Sequence, residues 1–231
     1  MDCKRKNEFS GLTVLDLSRY LPGGYATQVL ADMGAEVIKV EDTGRGDFCR
    51  HDEPVMQGES YYFTALARNK KSLSVNLKSR EGKEIFHKLV AKSDIILESF
   101  RPGVTTRLGI DYEQIKAVKP DIIYCSLSGY GQSNPNSLKA LHDINMQAQS
   151  GYLSLNGGKT SPLHLCDLAS GMVAAQAMLA ALYQRSVSGR GNYIDISMFD
   201  SFVWWNSMLD SRYYFYGGRL EAKDLEYPAV C

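Results

Sequence analysis

The stretch GLTVLDLSRYLPGGYATQVLADMGAEVIKVE, residues 11–41, decides the fold class. Its apolar run from Leu12 to Leu17 predicts a buried strand. A Pro-Gly-Gly loop, Pro22 to Gly24, comes next. An apolar-periodic helix then ends near Met33-Gly34, and a second strand runs from Glu36 to Val40. Strand, helix and strand in so short a stretch make a βαβ unit, whose two strands lie parallel.

The pattern continues outward. Ser72 to Leu77 predicts a strand, Arg80 to Ala91 a helix with Ile85, Leu89 and Val90 on one side, and Asp94 to Leu97 a short buried strand. A helix over Tyr112 to Val118 and a strand over Ile122 to Leu127 follow. Strands alternating with helices predict an α/β fold, a Rossmann-like and mostly parallel sheet with helices on both faces. Gly129 to Ser137 (GYGQSNPNS) is a turn-rich loop, read as a bend in the active-site region. Leu168 to Tyr183 is crowded with alanine, serine and glycine, which suits a buried helix packed closely on its neighbours. Tyr193 to Ser197 reads as a strand and Phe199 to Leu209 as a helix carrying Phe202, Trp204 and Trp205. The aromatic cluster Trp204, Trp205 and Tyr213 to Tyr216 is expected in the core or at a dimer interface. The chain therefore divides into a tail (1–10), one large domain (11–209) and a remainder (210–231) whose end, Arg219 to Cys231, has loop character.

Composition narrows the function. With 231 residues, 44% of them hydrophobic and 23% charged, the chain can bury a sizeable core. Twenty-six Lys and Arg balance twenty-six Asp and Glu with no long basic run, so nucleic acid is not an expected partner. No run reaches the ~18 to 20 consecutive apolar residues of a membrane helix, and the first residues lack a signal peptide's apolar core. A cytoplasmic protein without membrane contact is expected. Five scattered cysteines without C-x-x-C argue against a disulfide framework and against structural zinc.

Several familiar motifs fail. Gly23-Gly24-Tyr25-Ala26 is not the G-x-G-x-x-G of a dinucleotide site, although Glu41 closes the second strand where such a site binds ribose. Gly158-Lys159-Thr160 lacks the first glycine of a P-loop, and Ser128 is outside G-x-S-x-G. His51, His87 and His164 have no partners at ligand spacing, so no metal is expected.

Three signals survive. Asp167 stands directly before the small-residue helix, where it is either an N-cap or a carboxylate nucleophile able to attack a thioester. His142, opening another helical stretch beside Asp143, is either a cap or a general acid and base. Ser99-Phe100-Arg101-Pro102-Gly103 follows a buried strand, the usual place of a ligand loop, with Lys70, Lys71, Lys78, Arg101 and Arg107 nearby for phosphates.

Taken as an ordered set, these residues resemble the class III (CaiB–BaiF) CoA-transferase family, which includes formyl-CoA transferase, carnitine CoA-transferase and α-methylacyl-CoA racemase. The elements that carry the resemblance are Leu15 to Arg19 with Pro22 to Ala26, Leu30 to Glu41, Asn69 to Ser72, Glu98 to Gly103, Asp167 before a helix containing Gly171, and Gly189 to Gly191. The resemblance implies a Rossmann-like large domain, a smaller second domain and two interlocked chains. Family members are considerably longer, so it also implies a C-terminally truncated chain, with residues 210–231 starting the linker to a small domain largely missing. It implies transfer of CoA from an acyl-CoA to a carboxylic acid through an aspartyl intermediate on Asp167, with His142 assisting. No permanently bound cofactor is implied, the CoA thioester being a substrate. CoA is expected against Tyr20, Leu21, Val75, Lys78, Ser99, Phe100, Arg107 and Lys139. Two alternatives stand beside this: α-methylacyl-CoA racemisation by His142 and Asp167 as an acid and base pair, and an inactive CoA-binding fragment.

Overall fold

The computed structural model describes residues 8–219. The first unit is β1 (Thr13–Leu17), α1 (Tyr20–Asp32) and β2 (Glu36–Glu41), followed by a hairpin of β3 (Val55–Met56) and β4 (Glu59–Ser60) and by α2 (Tyr61–Ala67). Next come β5 (Lys70–Ser74), α3 (Arg80–Val90), β6 (Ile95–Glu98), α4 (Val104–Leu108), α5 (Tyr112–Val118) and β7 (Ile123–Ser128). The rest is α6 (Asp143–Gln149), α7 (Tyr152–Leu155), α8 (Leu165–Ser188), β8 (Asn192–Ser197) and α9 (Met198–Phe215). Six parallel strands form one sheet in the order β5-β2-β1-β6-β7-β8. The chain winds away from β1 in one direction and returns to β6 on its other side. The strand order thus reverses between β1 and β6, and open sheets bind ligands beyond the carboxyl ends of the strands at such a switch point.

Both faces are covered, which is why the central strands read as unbroken apolar runs rather than alternating ones. Val14, Leu97, Ile123 and Cys125 pack under α1 and α8, whereas Leu15, Ile96, Ile122 and Tyr124 pack under Phe86 and Val90 of α3 and Ile115 of α5. Each fully buried leucine or isoleucine contributes about 1.5–3 kcal/mol. Phe9 packs on the first of these cores and donates its N–H to the Met33 carbonyl at 3.2 Å.

The glycines the sequence presented as a loop belong to a helix. Pro22 sits in the first turn of α1, where its missing N–H costs nothing. A Cβ on Gly23 would stand 2.2 Å from the Ser18 Cβ, so the glycine is required by close packing and not by a turn. The β5 strand starts two residues before the predicted Ser72, because pairing with β2 sets the register Val37↔Lys70. On α3, Phe86 and Val90 face the sheet and Ile85 is 48% exposed, unlike the predicted face. Helix α9 continues past Leu209 to Phe215; Trp204, Trp205, Tyr214 and Phe215 are exposed on it and Tyr216 just after it, contrary to a core position. Helix α8 is long and apolar enough to cross a membrane, contrary to the composition reading. Its Ala174, Ala175, Met178 and Ala181 are instead buried in the core over the sheet. Cys49, Cys125 and Cys166 are buried free thiols, and Cys3 and Cys231 lie outside the described residues, as does the 220–231 part of the expected linker.

Candidate active site

A groove opens where the switch point predicts it, past the carboxyl ends of β1, β2, β5 and β6. Ser18, Arg19, Asp42, Val75, Lys78 and Phe100 are among the residues that line it. Three of the residues expected to bind CoA are thus brought together: Val75, Lys78 and Phe100. Three more lie beside them. Tyr20 and Leu21 open α1 directly after Arg19, and the Ser99 hydroxyl accepts the Arg19 N–H at 2.9 Å. The Arg19 guanidinium stacks over Phe48 and Phe100, at 4.8 and 5.6 Å from the ring centres, with Asp42 3.7 Å away. Arg107, on α4, and Lys139, in the loop before α6, are exposed and are not among the groove residues.

Beneath the groove lies a buried charge network that sequence reasoning missed. Lys39 Nζ is 2.7 Å from Asp47 and 3.7 Å from Asp16, and Lys70 Nζ is 3.1 Å from Asp16. Burial works against the Asp16 anion, but Lys39 and Lys70 with the Ser18 and Thr27 hydroxyls hold its carboxyl far below the usual range. Burial pulls the Lys70 ammonium down, Asp16 notwithstanding. Lys70 therefore does not serve a phosphate: its side chain is 2% exposed and donates to Asp16, Thr27 and the Gly24 carbonyl. Lys71 is paired with Glu36. The network also shapes the start of α1. Tyr20 adopts φ 59°, a costly left-handed backbone for a residue with a side chain, and its N–H points to Asp47 Oδ1 at 3.4 Å.

A second buried acid supports the groove from the side. Glu98, 1% exposed, accepts the Phe100 N–H at 2.7 Å and so fixes the turn that presents that ring. Burial pushes its carboxyl up to about 7 against the Ser126 and Phe100 hydrogen bonds, with Asp195 adding to the rise.

Asp167 occupies the first turn of α8 as its third residue; His164 holds the N-cap position. The capping reading of Asp167 is therefore wrong, because Asp143 does that work from α6. Its Oδ1 accepts the N–H groups of Cys166 at 2.7 Å and Asp167 at 3.3 Å, and Gln147 binds its other oxygen. Burial first and the Asp143 charge second push the Asp167 carboxyl up to about 7. The neighbouring Cys166 thiol is raised by burial and by Asp143, which keeps it protonated and inert. Tyr62, from α2, has its phenol raised by burial and then by Asp167, and meets the His164 ring edge-on at 6.1 Å.

The histidine brought beside Asp167 is His164, which sequence spacing had left without partners. One nitrogen of His164 and one oxygen each of Asp143 and Asp167 lie within 4.8 Å of one another. These three have the ligand types of a divalent-cation site, although both Asp143 oxygens are already engaged in capping and in the Gln147 bond. His142 is exposed at the N-cap of α6, with Asn145 accepting its backbone N–H, and is not part of this group. The path between groove and Asp167 runs along α1. One turn beyond Asp167, a Cβ on Gly171 would stand 2.6 Å from the Pro22 carbonyl, so the start of α1 touches α8.

The parallel α/β sheet carries a groove at its switch point, and the core helix that touches the start of α1 carries an aspartate whose carboxyl burial raises to about 7. Residues 9–225 match the model of CoA-transferase family III, and the chain belongs to that family. It is 40% identical over 208 residues to a succinyl-CoA:glutarate CoA-transferase of Mus musculus, covering 87% of this chain and 48% of that protein. It is 39% identical over 203 residues to an acetyl-CoA:oxalate CoA-transferase of Acetobacter aceti, covering 85% and 52%. A solved CAIB/BAIF family protein from Brucella suis superimposes with a TM-score of 0.87 at 32% identity, covering 92% of this chain and 58% of that one. The chain spans about half the length of the curated relatives it matches.

Proposed function

We propose that the protein moves CoA from an acyl-CoA to a carboxylic acid, with Asp167 as covalent nucleophile. The observation that carries this reading is the Asp167 carboxylate itself, lifted to about 7 on the first turn of a core helix that touches the start of α1. A desolvated carboxylate is a stronger nucleophile than a solvated one, and at neutral pH about half of it is ionised.

In this mechanism an Asp167 oxygen attacks the thioester carbonyl, the C–S bond breaks and CoA leaves as thiolate, giving a mixed anhydride. The thiolate attacks the aspartyl carbonyl, which frees the first acid and leaves an aspartyl-CoA thioester. A second carboxylate attacks that thioester, CoA leaves again, and its return to the new acyl group yields the new acyl-CoA and restores Asp167. Lys78, Arg19 and Phe100 hold the nucleotide end of CoA in the groove, and α1 directs the pantetheine arm towards α8. Two relatives are named for glutarate and oxalate, so short dicarboxylic acids are the acceptors to test first. Incubation with succinyl-CoA and hydroxylamine, read by intact-protein and peptide mass spectrometry, is expected to convert Asp167 into its hydroxamate, a gain of one NH group. A chain that binds CoA yet shows no such gain removes the covalent reading.

A further inference from the structure

Two strand ends flank the switch point, and a buried acid holds the turn after each. At the end of β1, Asp16 accepts the Ser18 N–H at 2.9 Å; at the end of β6, Glu98 accepts the Phe100 N–H at 2.7 Å. The two turns meet. The Ser99 hydroxyl accepts the Arg19 N–H at 2.9 Å, and the Arg19 guanidinium lies 5.6 Å from the centre of the Phe100 ring. Ser18, Arg19 and Phe100 all line the groove. The acids differ in what else they hold. Asp16 is shared between Lys39 and Lys70 in the charge network below. Glu98, 1% exposed, forms no ion pair among the described residues. The register sets it between Leu17 and Ser126, with Asp195 next beyond Ser126, so a hydroxyl and a second acid are the polar groups in its row. A buried acid without a cation weakens the fold. The one backbone group its side chain holds among the described residues is the Phe100 N–H, inside the turn that lines the groove.

We propose that Glu98 is a positioning residue for CoA: by holding the Phe100 N–H it sets Ser99 and Phe100 against Arg19, and so fixes the surface on which the nucleotide end of CoA is bound. The proposal rests on the reading of the groove as the CoA site. What the turn requires from Glu98 is an acceptor oxygen rather than a charge, because the bond to Phe100 uses Oε2 and leaves the other oxygen free to carry a proton. Glu98 lies under the groove and takes no proton in the exchange, so its effect is on how tightly CoA is held and not on the chemical step. Loss of the acceptor leaves the Phe100 N–H unpaired and releases the ring from its place beside Arg19.

Glu98→Gln, which keeps an acceptor, and Glu98→Leu, which removes it, test this in the 231-residue chain. Hydroxamate formation is followed against the concentration of succinyl-CoA and, separately, of a succinyl thioester of N-acetylcysteamine, which has no nucleotide end. In Glu98→Leu the succinyl-CoA concentration that gives half the maximal rate is expected to rise about ten-fold, with the maximal rate and the short thioester's reaction unchanged. Glu98→Gln is expected to stay within about two-fold of wild type for both. A general structural loss would slow both thioesters alike. A leucine variant equal to wild type, a glutamine variant as weak as leucine, or an equal loss with both thioesters overturns the proposal. A second measurement needs no variant. The Phe100 amide of the wild type, followed by NMR, is expected to exchange with solvent at least about ten-fold more slowly than an unprotected amide, and more slowly still with CoA bound. Unprotected exchange at Phe100 overturns the proposal even where the leucine variant fails to fold. Two results separate its failure from that of the readings beneath it. If wild type traps no hydroxamate, Asp167 is not the nucleophile, and calorimetric CoA binding, about ten-fold weaker in Glu98→Leu and restored in Glu98→Gln, still upholds Glu98. If the adenosine bisphosphate end of CoA binds without moving the NMR signals of Phe100 and Lys78, the groove is not the CoA site and the role of Glu98 falls with that reading.

Discussion

Replacing Asp167 by asparagine is expected to stabilise the protein, and to do so only as the solution becomes neutral and alkaline. In the folded chain the carboxyl loses its proton near 7 instead of the ordinary 3.8. Between those values the folded state holds a proton that the unfolded state does not, so wild-type stability falls as pH rises through that window. The displacement is about three units at 1.36 kcal/mol each, so the full penalty above pH 8 is about 4 kcal/mol. Asparagine carries no charge and escapes it. At pH 4 the folded carboxyl holds its proton and the unfolded one is about half ionised, so little of the penalty has developed and the two proteins should agree within about 1 kcal/mol. Urea unfolding of both proteins at half-unit steps from pH 4.5 to 8.5 measures the gap. With an m-value of about 2 to 3 kcal/mol per molar, the asparagine midpoint should lead by roughly 1.5 M at pH 8.5. Glu98 also titrates near 7, but it is present in both proteins and cancels in the difference. A gap independent of pH, or an asparagine variant less stable than wild type at pH 8.5, refutes the burial argument for Asp167.

Three further substitutions probe the scaffold and the groove. Asp16→Asn leaves Lys39 and Lys70 without their shared anion, and a loss of about 3–5 kcal/mol in unfolding free energy is expected, partly recovered when Lys70→Met is added. Gly171→Ala drives a methyl into the Pro22 carbonyl; it should cost about 1–3 kcal/mol by urea unfolding and slow hydroxamate formation at Asp167 by separating α1 from α8. Lys78→Ala removes an exposed cation from the groove, so calorimetry should find CoA binding weakened about five-fold and less sensitive to salt, with the unfolding midpoint hardly changed.

The parallel core was legible because its strands are buried on both faces. Val14, Leu15 and Leu17, or Ile95, Ile96 and Leu97, leave no reading other than a strand in a covered sheet. Pro22 to Gly24 misled because proline and glycine usually mark a loop, whereas here the proline fits the helix's first turn and Gly23 makes room for Ser18. The hairpin at Val55 to Ser60 escaped because Val55, Met56 and Glu59 are exposed and carry no apolar alternation. At the site, Asp167 could be singled out by position alone, but its neighbours could not. His164 is three residues before Asp167, and Asp143 reaches the same point from twenty-four residues away through its bonds to the N–H groups of Cys166 and Asp167. The acid network of Asp16, Lys39, Asp47 and Lys70 was hidden for the same reason. Each of these reads as an ordinary surface charge until the strands and the loop after β2 are assembled.

The surroundings of Asp167 come from elements of unequal local stability. Helix α8 lies at the centre of one core, so its amides near Ala174 to Ala181 can exchange with solvent only when the domain as a whole opens. Helix α2, which brings Tyr62, has no buried residue, and the hairpin before it has Ser60 alone. Its opening takes a small fraction of that energy. The carboxylate thus stands on a fixed wall behind a loose door. Burial is the main cause of the raised Asp167 carboxyl, so any opening of α2 that admits water there lowers its affinity for protons. The protonation of this carboxyl is then tied to the stability of a short segment as well as to the helix that carries it.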